Sequence, residues 1–226
     1  MRERACEVAG LRTLVAGVSD APLVLVLMHG YRMRPEDLAP FTHSMGVPFL
    51  LLLPQGPVAA AAGGFGWWVS SVEEAGLTAP LAPRDLADYE PQRLEAARLR
   101  LQEYLAAAAA QFGARRLVLG GFSQGAMLAL DLVLRGGAPA EALVLLSASR
   151  IASRHWEAHQ ARLRNLPVFL SHGRADPDLA FPAGEALRDF LSGAGAQVEW
   201  LPFDGGHETP LIVWRGLRKF LRGLLA

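Results

Sequence analysis

The stretch Arg116-Leu117-Val118-Leu119-Gly120-Gly121-Phe122-Ser123-Gln124-Gly125-Ala126-Met127-Leu128-Ala129-Leu130 decides how this chain folds. Its first part is a short apolar run that closes on glycines, which reads as a buried strand arriving at a turn. Its last part continues apolar to Arg135 and has helical length. Between them stands Gly121-Phe122-Ser123-Gln124-Gly125, a Gly-x-Ser-x-Gly pattern. A strand-to-helix turn this tight leaves no room for a Cβ on either flank, and glycines occupy both flanks. The serine then sits at the apex, its hydroxyl raised to where a base and a substrate can reach it.

Working outward, apolar runs of strand length recur at 23–28, 49–53, 117–119, 142–146 and 168–170. Most are apolar on both faces, as in a parallel sheet covered by helices on each side. A sixth run, 197–203, is half polar and suits a sheet edge. Helical patterns fill the gaps at 35–45, 91–112, 124–135, 182–193 and 210–225. Pro91 and Pro210 fit the first turn of a helix, where a missing N–H costs nothing. This alternation predicts an α/β fold with right-handed crossovers and a mostly parallel central sheet with helices on both faces. Residues 6–18 are expected to add antiparallel strands at the edge. Residues 54–90 break the alternation. They are rich in Gly, Ala and Pro, contain Phe65, Trp67 and Trp68, and are expected to form a substrate-pocket loop or lid.

At 226 residues one domain spanning 1–226 is expected. The 22 basic residues balance the 22 acidic ones, which removes any electrostatic case for binding nucleic acid or an anionic membrane. Cys6 is the single cysteine, so no intrachain disulfide forms. The charged N-terminus lacks a signal-peptide apolar region, and no apolar stretch has membrane-spanning length. A soluble cytoplasmic protein without membrane insertion is the expectation.

A serine hydroxyl is a poor nucleophile at neutral pH and needs a base, itself oriented by a third group. In α/β-hydrolases these follow in the order Ser, Asp or Glu, His, on loops at the carboxyl edge of the sheet. Of the 6 histidines, His207 follows a plausible acid and lies just past a strand, in Asp204-Gly205-Gly206-His207-Glu208. It is the candidate base, with a surface or capping role as the alternative. The acid is sought in His172-Gly173-Arg174-Ala175-Asp176-Pro177-Asp178. Pro177 fixes Asp176 in an extended backbone, which suits an orienting carboxylate. Asp178 is the other candidate, and a helix-capping Asp is the bland reading of this loop. For the oxyanion hole, the backbone N–H of Gln124 is one donor and that of Tyr31, in Met28-His29-Gly30-Tyr31-Arg32, is the other. His155 and His159 are spaced to share a helix face, but no third ligand joins them, so no metal site is expected. Trp67, Trp68 and Phe65 are candidates for the substrate wall, with core packing as the alternative for the tryptophans.

These residues resemble the phospholipase/carboxylesterase family, which includes the acyl-protein thioesterases. Gly121-Phe122-Ser123-Gln124-Gly125 is more specific than the general Gly-x-Ser-x-Gly turn, the nucleophile elbow. The match continues at Leu27-Met28-His29-Gly30, Trp67-Trp68, His172-Gly173 with Asp176-Pro177, and Gly206-His207. The resemblance implies a Ser123–Asp176–His207 triad, a small-molecule carboxylic ester or thioester substrate, and no cofactor. It carries over homodimerisation as an option. The chain departs from the family pattern at Arg32, where many members carry Gly, and at Trp67-Trp68-Val69, where members often have Trp-Phe-Asp. The leading expectation is a serine carboxylesterase acting on small to medium acyl esters through an acyl-enzyme. A thioesterase on acylated protein or acyl-CoA, and a scaffold used only for binding, are the alternatives.

Overall fold

Strands whose residues are apolar at every position demand cover on both faces. The computed structural model, which describes residues 3–39 and 45–226, supplies it. In chain order the strands are β1 (Arg4–Val8), β2 (Leu11–Gly17), β3 (Leu23–Met28), β4 (Phe49–Pro54), β5 (Val58–Ala59), β6 (Phe65–Gly66), β7 (Arg116–Phe122), β8 (Ala142–Leu146), β9 (Pro167–Gly173) and β10 (Gln197–Phe203). The helices are α1 (Ser71–Glu74), α2 (Leu94–Phe112), α3 (Gln124–Leu134), α4 (Ser153–His159), α5 (Phe181–Gly193) and α6 (Leu211–Leu225). An 8-stranded sheet runs in the order β1-β2-β4-β3-β7-β8-β9-β10. The β1–β2 and β2–β4 pairs are antiparallel, and all other neighbours in it are parallel.

The register sets up the site. Met28 pairs with Gly121, Phe122 with Leu146, Leu146 with Ser171, and Gly173 with Phe203. The carboxyl ends of β3, β7, β9 and β10 therefore lie in line, and the loops that follow them share one edge of the sheet, the usual place for a ligand in such folds.

Two apolar layers clamp the sheet. On one face Leu101 and Tyr104 of α2, Leu128 and Leu132 of α3, Trp156 of α4 and Leu187 of α5 form a continuous cluster. On the other, Val213, Trp214, Leu217, Phe220 and Leu221 of α6 pack with Phe169, Phe49 and Leu25. That 1-2-5-8-9 spacing is an amphipathic stripe, which explains why α6 is half exposed. By contrast α3 is buried along its whole length, as its apolar composition requires.

Several expectations need correction. Residues 6–18 do form antiparallel strands, but only β1 is an edge; β2 is covered by β4. Of the helix expected at 35–45, the described residues show a 3-10 turn at Pro35–Asp37 and a helical Ala39, and residues 40–44 lie outside the description, His43 with them. Pro91 precedes α2 rather than opening it: its carbonyl accepts the Leu94 N–H at 3.1 Å in the turn before the helix. Pro210 is the N-cap of α6, one residue earlier than its first turn. Residues 54–90 are not structureless, since they hold the β5–β6 ribbon and α1. The half-polar 197–203 strand, β10, is an edge as read. Among the described residues no helix is long and apolar enough to cross a membrane.

Candidate active site

Ser123 joins β7 to α3 with φ 51° and ψ −117°, a backbone conformation that a non-glycine residue adopts at a cost of about 1–3 kcal/mol. The surroundings hold it there. Its N–H donates to the Leu146 carbonyl at 2.8 Å, and its own carbonyl accepts the N–H groups of Ala126 and Met127 at 3.0 and 3.1 Å. The flanking glycines are sterically required. A Cβ on Gly121 would stand 2.4 Å from the Met28 carbonyl oxygen, and one on Gly125 would stand 2.2 Å from it. The elbow is thus pressed directly against the end of β3.

The loop after β10 brings His207 to the same edge. Its Nδ1 lies 2.7 Å from Asp176 Oδ2, and its ring packs against Phe122 with centroids 4.8 Å apart. A carboxylate only accepts, so Nδ1 carries the proton in this contact, and in the neutral ring that tautomer leaves the lone pair on Nε2. Asp176 is 3 % exposed. Its Oδ1 accepts the N–H groups of Asp178 and Leu179, both at 2.8 Å. Asp176 does not cap the helix that follows, whose N-cap is Ala180 without a side-chain cap bond; one of its oxygens ties the loop and the other meets His207. Burial pushes the Asp176 carboxyl up, but the His207 hydrogen bond and charge, with the Leu179 and Asp178 amides, outweigh it and leave the group below its ordinary value. The Oδ2 of Asp178 is 3.8 Å from His207 Nε2, and that carboxylate is engaged by Arg84.

The loop after β3 closes the third side. A Cβ on Gly30 would be 3.3 Å from the Ser123 Cβ, so this backbone lies against the serine. His29 is fully buried. Its Nδ1–H donates to the Gly30 carbonyl at 2.7 Å, and its Nε2 accepts the Gly56 N–H at 2.9 Å, which requires the neutral ring. Desolvation lowers its pKa in the same sense, against weaker opposing contributions. His172 is likewise buried, with Nε2 3.0 Å from the Leu179 carbonyl and 3.4 Å from Asp176 Oδ2, and burial lowers its pKa too.

Ser123 and His207 line one cleft of about 710 Å³, and Tyr31, Gln124, Trp68 and Asp178 line it with them. Of the three aromatic candidates, only Trp68 is on this wall. Trp67 is turned into the core, its indole N–H donating to the His29 carbonyl at 3.0 Å, because that carbonyl needs a partner once buried. Phe65 sits in the β5–β6 ribbon under the guanidinium of Arg34, 5.5 Å from its ring centre. The far wall is tied by two phenols: Tyr31 donates to Glu73 at 2.7 Å and Tyr89 to Glu74 at 3.0 Å. Burial and the Glu73 carboxylate push the Tyr31 phenol up to about 12.

Three residues here carry more than the sequence disclosed: the Gln124 side chain, which reaches back to the tryptophan loop, and Arg32 and Arg84, which line the cleft. Arg32 had a sequence signal, as the departure at a position where many family members have Gly, and Gln124 stood in the Gly-Phe-Ser-Gln-Gly motif, whereas Arg84 had none. Among the described residues no group of three or more His, Cys, Asp or Glu side chains is placed to hold a metal ion. His159 Nδ1 instead meets the His155 carbonyl at 2.8 Å.

Sheet order, elbow and the cluster at the carboxyl edge define an α/β-hydrolase fold. The chain belongs to the phospholipase/carboxylesterase family, whose model matches residues 92–225. A stretch of 112 residues is 30% identical to acyl-protein thioesterase 1 of Neurospora crassa, covering 48% of this chain and 46% of that protein, so the match spans under half of that relative. Among solved structures, a carboxylesterase from Mesorhizobium loti superposes with TM-score 0.77 at 19% identity, covering 99% of this chain and 100% of that one. Zea mays acyl-protein thioesterase 2 gives 0.74 at 22%, covering 95% and 99%. At these identities the likeness establishes the fold.

Proposed function

We propose that the protein is a serine carboxylesterase that hydrolyses small to medium acyl esters. The observation that carries this reading is the shared cleft: the strained Ser123 and His207, whose Nδ1 meets the buried Asp176, open onto the same space. On this reading Ser123 Oγ attacks the ester carbonyl carbon while its proton passes to His207 Nε2. Asp176 holds the ring in that tautomer and stabilises the imidazolium. The oxyanion rests on the backbone N–H groups of Gln124 and Tyr31, each worth about 3 kcal/mol of barrier. The carbonyl re-forms, the C–O bond to the alcohol breaks, and the alcohol leaves with the proton from His207. Water, with His207 again as base, then releases the acid. Residues 54–90 act as the pocket wall, through Trp68 and the α1 segment.

The test is hydrolysis of p-nitrophenyl esters from acetate to palmitate by the wild type and Ser123→Ala. A fall of four orders of magnitude or more is expected in the mutant. Absence of turnover on every ester by folded wild-type protein would sink the reading. A second reading, hydrolysis of thioesters on acylated protein or acyl-CoA, is supported by the stretch similar to acyl-protein thioesterase 1. An optimum at long acyl chains would favour it.

A further inference from the structure

We propose that the ester hydrolysed at this site carries an ionised carboxylate of its own, and that Arg32 binds it. The proposal rests on the esterase reading and narrows its substrate class. Arg32 follows Tyr31 in the loop after β3 and lines the cleft that holds Ser123 and His207. The cleft contains a second guanidinium, Arg84, but that one is spent: it pairs with Asp178 and donates to Ser71 Oγ at 2.8 Å. Arg32 forms no ion pair among the described residues. Its Nη1–H donates to the Thr78 carbonyl at 2.6 Å, and its Nε is shielded and makes no hydrogen bond to protein. The cleft it lines is walled by the apolar Met33, Trp68, Phe122 and Met127 and also by two carboxylates, Glu208 and the Asp178 that Arg84 engages. With Nε shielded and one Nη1–H engaged, Nη2 and the second Nη1–H remain as the end-on fork, whose geometry matches a carboxylate.

The backbone points the same way. Arg32 has φ +65°, in the left-handed region that glycine enters freely and arginine enters only under strain. Neighbours lock it in place: a Cβ on Gly64 would stand 2.1 Å from the Arg32 carbonyl oxygen, so the β5–β6 loop is pressed against this residue. The guanidinium carbon lies 6.0 Å from the centre of the Tyr31 ring, whose hydroxyl is held by Glu73. The strain does not serve the turn, which glycine would make more easily. It presents a charge to the cleft, and strain that persists at a site is a mark of function.

The experiment compares, with the full chain, esters matched in shape but not in charge. On the acyl side these are p-nitrophenyl hydrogen glutarate and p-nitrophenyl pentanoate. On the alcohol side they are 4-carboxyphenyl and 4-carbamoylphenyl pentanoate. The readout is the ratio of kcat/KM, anionic over neutral, within each of wild type, Arg32→Gly and Arg32→Lys. Arg32→Gly suits the left-handed backbone, so it is expected to fold. In one of the two pairs the wild-type ratio should exceed that of Arg32→Gly at least tenfold, with Arg32→Lys between them, and the advantage should shrink as salt is raised. The pair that responds says which side of the ester carries the anion. Equal ratios in wild type and Arg32→Gly for both pairs, with neutral esters turned over, would overturn the proposal and leave the esterase reading standing. No turnover of any ester by the wild type would remove both.

Discussion

The side-chain amide of Gln124 brackets the backbone of Trp67 and Trp68: its Oε1 accepts the Trp67 N–H at 2.8 Å, and its Nε2–H donates to the Trp68 carbonyl at 2.9 Å. The residue that follows Ser123 thus also fixes the backbone that carries Trp68 into the cleft wall.

Gln124→Ala leaves a buried donor and a buried acceptor without partners. Stability is expected to fall by about 2–4 kcal/mol, read as a shift in urea midpoint at constant m-value. KM should rise as the Trp68 wall loosens. An unchanged midpoint would show that the bracket is not formed in solution.

Asp176→Asn replaces a pure acceptor with a group that also donates, which disfavours the Nδ1–H tautomer of His207. The expected loss in kcat is about four orders of magnitude. Asp178→Asn weakens a part-buried pair with Arg84 and removes a charge 3.8 Å from His207 Nε2, but leaves the Nδ1 contact intact, so its loss should stay under about tenfold. The two variants side by side decide between the carboxylates that the sequence left open; similar losses would reject Asp176 as the acid.

Gly125→Ala forces a methyl toward the Met28 carbonyl, where the clearance is 2.2 Å. Backbone cannot rotate away as a side chain does. The variant should lose at least about 2 kcal/mol of stability and most of its activity. A thermal scan with activity measured in parallel checks it, and a wild-type melting point would refute the contact.

His29 and His172 both have pKa values lowered in the folded state, chiefly by burial. Above about pH 6.5 they are neutral folded or unfolded and contribute no pH dependence. Below that, the unfolded chain binds protons that the native state refuses, so stability falls as pH drops from about 6.5 toward the lowered folded values. Asp176, also lowered, adds a further loss below about pH 4. Urea unfolding between pH 8 and 5 should show this slope, and His29→Gln should flatten it. A stability that rises on acidification through this range would contradict the buried neutral rings.

Much of this was legible from sequence because its signals are local. The 23–28 and 142–146 runs are apolar at each position, and only a covered parallel sheet can accept that. Chain order, and the loops they fall in, point to Ser123, His207 and Asp176, and the fold places His207 against Asp176 and in one cleft with Ser123. The β5–β6 ribbon was not legible, since two-residue strands have no periodicity to read. The split fate of Trp67 and Trp68 was not either: adjacent residues point opposite ways, and only the partner of the Trp67 indole, the His29 carbonyl, decides which one turns inward. Residues such as Gln124 and Arg84 act through partners 56 and 94 positions away, which no window along the chain contains.

β10 is the outermost strand on its side of the sheet, joined to it through β9, and the loop it feeds carries His207. Edge elements open before a core does. Detachment of this rim would withdraw the imidazole while Ser123, seated on the central strand β7, stayed in place. Catalytic competence is then a more fragile property than foldedness. Warming the protein should silence it as an enzyme some degrees before it ceases to be a globule.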